Sequence, residues 1–236
     1  MAGYREHAPP PALASLVACT WERVTDAPRS QLVIPDTCTD LIHTSEGALI
    51  VAGPDTGPRT VELRAGTRST GIRLRPGAVA AVLGLPASEL RDLTPSAEEV
   101  LGCEGRRLTE AVVEAQAPKV MLLAAVTARL DEPDPLVVEA ARLLGVPGTR
   151  VAGVADRLGV SERQLRRRTS VAVGYGPKLL ARVLRLRRLV GLHAASLAER
   201  ALDAGYADQA HMTEDVRRLT GLTPVRFLKD ARLTAA

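Results

Sequence analysis

The sequence predicts an α+β chain. A β-rich, barrel-like front with a helical appendix precedes an all-α rear of two helix-turn-helix units joined by a linker helix. Three observations carry this. Short runs of aliphatic and β-branched residues, separated by turn residues, occupy the first 75 positions. Helical periodicity takes over from Pro76. The charge also divides: residues 149–236 hold 17 Lys and Arg against 8 Asp and Glu, a formal +9, while residues 1–148 net −5. At 236 residues the chain can bury two modest cores. The expected division is a front domain, 1–148 (β-rich 1–75, helical 76–145), and a basic domain, 149–236.

In the front, LVACTW (16–21), QLVIP (31–35), DLIHT (40–44), ALIVAG (48–53), RTVEL (59–63) and STGIRLR (69–75) are strand candidates. Pro35-Asp36, Glu46-Gly47, Gly53-Pro54, Gly57-Pro58 and Gly66 supply the turns between them. Helical patterns follow at 76–84, 86–93 and 96–102, then in one long stretch from Arg106 to Leu130. The segment Asp131 to Pro135 breaks that stretch, and an apolar helix from Leu136 to Leu144 leads to a Gly145–Gly148 linker.

The rear opens with Val151, Val154, Ala155 and Leu158, a short apolar stripe, then a Gly159-Val160 turn. Ser161 starts a second helix, with Gln164 at its third position to complete a capping box. That helix carries Arg163, Arg166, Arg167 and Arg168 around an inward Leu165. Pro177, a suitable first helical residue, begins the linker helix. Its apolar face is Leu180, Val183, Leu184, Leu186 and Val190, with Arg182, Arg185, Arg187 and Arg188 expected mostly outward. About 46 residues after the first unit the plan repeats. Leu197, Ala198, Ala201 and Leu202 form the first helix, Gly205 the turn, and Asp208 the N-cap of the second. Met212, Val216 and Leu219 point inward; Gln209, His211, Thr213, Arg217 and Arg218 stay on or near the surface, and a Gly and Thr-Pro stop ends the helix at Pro224. Paired helices with a polar second face in a basic domain predict major-groove binding to double-stranded DNA, with strong salt dependence. Arg outnumbers Lys 28 to 3, so phosphate contacts would be planar and forked.

Residues 151–228 resemble the AraC family of bacterial transcription regulators. VAGVADRLGVSERQLRRRTSVAVGYGPKLL is similar to that family's first helix-turn-helix and linker helix, and ALDAGYADQAHMTEDVRRLTGLTPVRFL to its C-terminal signature. The family usually has Phe where this chain has Thr169 and Val216. The resemblance implies that both recognition helices of one chain enter adjacent major grooves, roughly 34 Å apart, on an asymmetric site. It assigns base contacts to Arg163, Arg166 and Arg167 in the first helix and to Gln209, His211 and Glu214 in the second, with Ala210 giving apolar contact. Arg pairs bidentately with guanine and Gln with adenine; Glu214 would repel phosphate or accept from cytosine. Arg182, Arg217, Arg218 and Arg226 would hold phosphates. RNA polymerase is a partner by family implication alone.

The front resembles the small N-terminal domain of one AraC-like subgroup, through Pro9-Pro10, Cys19-Thr20-Trp21, IPDTCTDLI (34–42), VAGPDT (51–56) and GIRLRPGAVAAVLG (71–84). Thr37 stands where that subgroup commonly has Gly. A small-molecule effector of unknown identity would bind in the interior or mouth of a compact β-barrel. Asp36, Cys38, Asp40 and Arg73 are its candidate contacts, since polar groups in an apolar β region often point into a pocket. The plainer alternative is that the aspartates cap turns and Cys38 is a small buried hydrophobe.

Cys19, Cys38 and Cys103 form no CxxC pattern, and no signal peptide is apparent, which points to a reducing cytoplasm. Cys19 and Cys38 as cross-strand neighbours would suit a thiol or soft-metal sensor. A DNA-repair methyl acceptor docked by the rear domain is a further alternative for the Pro-Asp-Thr-Cys segment. The four histidines are scattered, and no nucleophile elbow, P-loop or dinucleotide fingerprint appears, so neither enzyme, cofactor nor metal site is expected. No apolar run approaches the ~18 residues of a membrane span. The helical stretch 106–130, through Leu108, Val112, Val113, Val120, Leu122, Leu123, Val126 and Leu130, would serve a homodimer or an ordinary core helix pair, the more frequent case.

Overall fold

A computed structural model describes residues 3–128, 131–194 and 196–229. The six predicted strands form as β2 (Val17–Val24), β3 (Arg29–Val33), β4 (Thr39–Thr44), β5 (Leu49–Ala52), β6 (Arg59–Leu63) and β7 (Arg68–Leu74). They are preceded by β1 (Gly3–His7), which the sequence did not reveal. Its residues are almost all exposed, so it lacks the apolar alternation that betrays a strand. A five-stranded antiparallel sheet runs β1-β2-β7-β4-β5, and β3 pairs with β6 as a separate two-stranded sheet.

One face of the large sheet, with Leu41, Leu49, Val51, Ile72 and Leu74, packs into the front core. Helices α1 (Val79–Leu83), α2 (Ala97–Leu101), α3 (Cys103–Glu114) and α4 (Pro118–Thr127) complete that core through Val79, Val82, Ala97, Val112, Leu122 and Val126. The 86–93 pattern yields only a 3-10 turn, Ala87–Glu89. The helical stretch expected over 106–130 divides into a pair, because Pro118 starts a new helix after the non-helical Ala117. Val112, Leu122 and Val126 are buried there, Leu108 and Leu123 pack against them, and Val113 and Val120 are exposed; Leu130 lies outside the described residues.

The rear is helical: α5 (Pro135–Leu144), α6 (Val151–Arg157), α7 (Glu162–Val173), α8 (Pro177–Gly191), α9 (Leu197–Ala204), α10 (Gln209–Thr220) and α11 (Pro224–Lys229). Helix α8 is its spine, burying Leu180, Val183, Leu186 and Leu189 and packing against α5, α7, α9 and α10. Core packing groups α5 with these helices: Val137, Ala140, Leu143 and Leu144 belong to the rear cluster. The Thr-Pro expected to stop α10 also starts α11, whose Phe227 is fully buried. Leu202, expected in the α9 stripe, is instead exposed.

Candidate nucleic-acid interface and effector cavity

The helix expected to be the first recognition helix is α7. Ser161 caps it as expected: its Oγ accepts from the Gln164 N–H, and the Gln164 side chain accepts from the Ser161 N–H at 2.9 Å. Leu165, Thr169, Ala172 and Val173 are buried, which leaves Arg163, Arg166 and Arg167 exposed along the opposite side. Arg168 turns away from them and grips the Asp134 carboxylate, the N-cap of α5, with Nε donating at 2.7 Å. Thr169, where the family has Phe, is fully buried and its hydroxyl has no partner among the described residues.

The helix expected to be the second is α10. Gly205 makes the turn at φ 90°, and Asp208 accepts from the His211 N–H at 2.7 Å. Gln209, Ala210, Thr213, Glu214, Arg217 and Arg218 line one shallow, open groove along its outer side, and Arg226 is exposed on α11. His211 is only partly exposed. Its Nδ1 accepts from the Ala207 N–H, its ring meets Tyr206 edge-on, and Nε2 stands 3.9 Å from Asp215.

Asp215 is the residue that sequence reasoning missed. It sits among Met212, Val216 and Leu219 on the buried side of α10, and Arg182 of α8 contacts it at 2.5 Å and Arg185 at 3.6 Å. Its spacing with Met212 and Val216 was the available signal. The two arginines expected outward therefore lie against Asp215, only 20% and 23% exposed. Arg185 also lies over the Tyr206 ring, and Arg188 donates to the Ala204 carbonyl. Arg182 is thus a latch between linker and recognition helix rather than a free phosphate ligand.

The other face of the large sheet looks into a cavity of about 390 Å³, roofed by β3 and β6. All four candidate effector contacts line it: Asp36, Cys38, Asp40 and Arg73. Register explains the convergence, since Cys19, Arg73, Asp40 and Ala52 are successive cross-strand partners on one row. Arg73 binds Asp40 side-on (Nε–Oδ1 and Nη2–Oδ2, both 3.2 Å) and reaches Glu6 at 3.3 Å and Asp36 at 3.6 Å. Burial raises the Asp40 carboxyl pKa despite the neighbouring Arg73 guanidinium. Asp36 also behaves as the turn-capping alternative required, its Oδ1 accepting from the Cys38 N–H at 2.9 Å.

Burial pushes the Cys38 thiol well above its ordinary range, and Cys19 up to about 11. Thr37 has φ 74°, a left-handed conformation that costs a β-branched residue about 1–3 kcal/mol and that glycine adopts freely. Its departure from the glycine of the resembled subgroup is therefore a strained one. Among the described residues, no three His, Cys, Asp or Glu side chains gather to hold a metal, and no helix is long and apolar enough to cross a membrane.

Front and rear touch directly. Leu32, on the side of β3 away from the cavity, and Ile34, which follows β3 and also lines the cavity, pack against the rear core, and Arg187 of α8 donates to the Asp36 carbonyl at 3.2 Å. Arg163 and Arg166 share a groove with Thr56, Arg91 and Asp92 of the front.

Two family models match this chain. One is described as a helix-turn-helix domain and covers residues 154–230; the other is a domain of unknown function (DUF6597) and covers residues 5–96. No curated protein matches the sequence. Among solved structures, ToxT of Vibrio cholerae O395 aligns at TM-score 0.46 and 10% identity, over 99% of both chains. A second ToxT crystal form from Vibrio cholerae aligns at 0.42 and 9%, over 97% of this chain and 98% of that one. ToxT of strain SCE256 with bound unsaturated fatty acid aligns at 0.40 and 8%, over 87% of each chain.

Proposed function

We infer that this chain, which carries an AraC-type helix-turn-helix domain behind an N-terminal domain of unknown function, is a DNA-binding transcription regulator whose DNA affinity is set by a signal received in the front cavity. One observation supports this most. Two capped helices, α7 and α10, each bury an apolar stripe on one shared spine and leave Arg163, Arg166, Arg167, Gln209, Ala210 and Glu214 in solvent. These are the base-contact candidates, with His211 behind them at the start of α10. Arg217, Arg218 and Arg226 are exposed where phosphates would pass. The front cavity shares its β3 roof with the rear core, so a ligand that moves β3 would move the surface on which the DNA domain rests. Exposed Val113 and Val120 give a second copy an apolar contact on α3 and α4.

A thiol-based signal is the weaker reading, because the two cysteines beside the cavity are buried with raised pKa values. The same burial speaks against Cys38 as a methyl acceptor. Selection of bound sequences from a random DNA pool, followed by anisotropy titration at fixed salt, tests the regulator reading. Arg167→Ala is expected to weaken the selected site by about 1–3 kcal/mol and to relax preference at one base pair. Unchanged affinity removes Arg167 from the interface. Failure to enrich any sequence defeats the reading.

A further inference from the structure

Four arginines line the cavity, and three are engaged by carboxylates. Arg59 pairs with Asp55 at 3.3 Å, Arg64 with Glu46 at 3.5 Å, and Arg73 with Asp40, Asp36 and Glu6. Glu62 accepts from the Ser30 hydroxyl at 2.6 Å. Arg23 is the exception. Among the described residues no carboxylate forms an ion pair with it, and its buried Nε has no hydrogen-bond partner. Aromatic rings hold it instead: the guanidinium carbon lies 5.0 Å from the Tyr4 ring centroid and 5.4 Å from that of Trp21.

The register defines what surrounds this cation. Arg23 is the cross-strand partner of Ser69, and Ser69 of Thr44, so two hydroxyls share its row on the cavity face. The next row on that face brings Trp21 and Ile42 together on either side of Gly71, with Ile50 beyond. Val61 of β6 lines the opposite wall. A fixed cation with hydroxyl neighbours thus adjoins an apolar slot.

We propose that the cavity binds a small amphiphilic carboxylate, its head on the Arg23 guanidinium beside Ser69 and Thr44 and its apolar body along Trp21, Ile42, Ile50 and Val61. This rests on the reading of the cavity as the signal site. A carboxylate meets the guanidinium fork through two parallel N–H···O bonds, which gives Arg23 the acceptors it lacks. Burial lowers the Arg23 pKa, so the guanidinium holds its charge at a cost that an anion offsets. A cationic ligand would find Asp36 and Asp40 held by Arg73, and would have to turn to Glu62, which accepts from the Ser30 hydroxyl and stands away from the slot's Arg23 row.

Three probes of one length separate charge from shape: octanoate, octanamide and octylamine, titrated calorimetrically into the full chain at fixed ionic strength. Octanoate is expected to bind about tenfold more tightly than octanamide, with octylamine weakest. Arg23→Gln is expected to erase that margin while leaving octanamide binding in place. Arg64→Gln, at the rim and paired with Glu46, is expected to keep it. Since Arg23→Gln also removes the stack on Trp21, Ser69→Ala provides a second variant, expected to weaken octanoate alone by about threefold. Equal affinity for the amide or the amine, a margin that survives Arg23→Gln, or no binding by any probe overturns the proposal. DNA anisotropy on the same samples keeps the two readings apart. Specific DNA binding without a carboxylate preference defeats only the ligand class, whereas no specific DNA binding in any sample defeats the regulator reading.

Discussion

A cysteine reacts as its thiolate, and burial withholds the thiolate from Cys19 and Cys38. Raising Cys19 from 9.0 to about 11 leaves roughly a hundredfold less thiolate near pH 8 than an ordinary cysteine would have. Cys103, by contrast, is exposed on α3. Iodoacetamide at pH 8 is therefore expected to alkylate Cys103 in the folded chain and to spare the other two, with all three reacting in urea. Rapid alkylation of Cys38 in the folded state would revive the thiol-sensor alternative. The pH sign follows from the same shifts. Above about pH 9 the unfolded chain releases these protons first, so the folded chain loses stability as pH rises through that range. Single residues also mark where sequence reading stops. That Asp36, Cys38, Asp40 and Arg73 are polar in an apolar region was legible; that Arg73 would gather three carboxylates was not, because cross-strand register sets it. Arg23 is equally silent in sequence, its lack of a carboxylate being a property of five strands together.

At the scale of elements, the distinction is between helix positions that face DNA and positions that hold the helix. Asp215 holds. Removing its charge leaves Arg182 and Arg185 facing each other without a counterion, partly buried between α8 and α10. Asp215→Asn is expected to cost about 2–3 kcal/mol in urea unfolding and to weaken DNA binding as α10 loosens. Arg217→Ala, at an exposed position on the same helix, is expected to leave the unfolding midpoint in place while weakening DNA binding. If Asp215→Asn melts like the wild type, the latch carries no stability. The elements themselves were legible wherever one face is buried: six strands, the capped α7 and α10, and the α8 spine all announce themselves by period or cap. The misses share a physical cause. β1 is a charged edge strand with almost nothing to bury, and the break between α3 and α4 at Pro118 was not placed because apolar spacing continues across it. The assignment of α5 to the rear core depends on which surface its stripe meets, and a stripe does not name its partner.

For the whole molecule, the proposed passage of a cavity signal to the DNA domain needs front and rear to stay docked, and Gly174 is a point of close approach between them. It ends α7 at φ 90°, and a Cβ there would lie 2.5 Å from Pro54 Cγ and 3.2 Å from the Ala87 carbonyl oxygen, both in the front. Gly159 offers a matched comparison. Its φ is 67°, yet a Cβ there would meet nothing within 4 Å. Gly159→Ala is therefore expected to lose only the left-handed backbone preference, about 1–2 kcal/mol, and to melt in one transition like the parent chain. Gly174→Ala bears the same backbone cost and also drives a methyl into a buried proline, which a rigid ring cannot sidestep. The front loop must then back away from α7, taking with it the neighbouring contacts of β3 and Arg187. Calorimetry is expected to show two separated transitions in Gly174→Ala, one for each core, with DNA affinity no longer responsive to any ligand of the cavity. A single transition matching that of Gly159→Ala would mean that Pro54 and Ala87 yield without undocking. Coupling would then have to run through β3 and the Arg187–Asp36 contact alone.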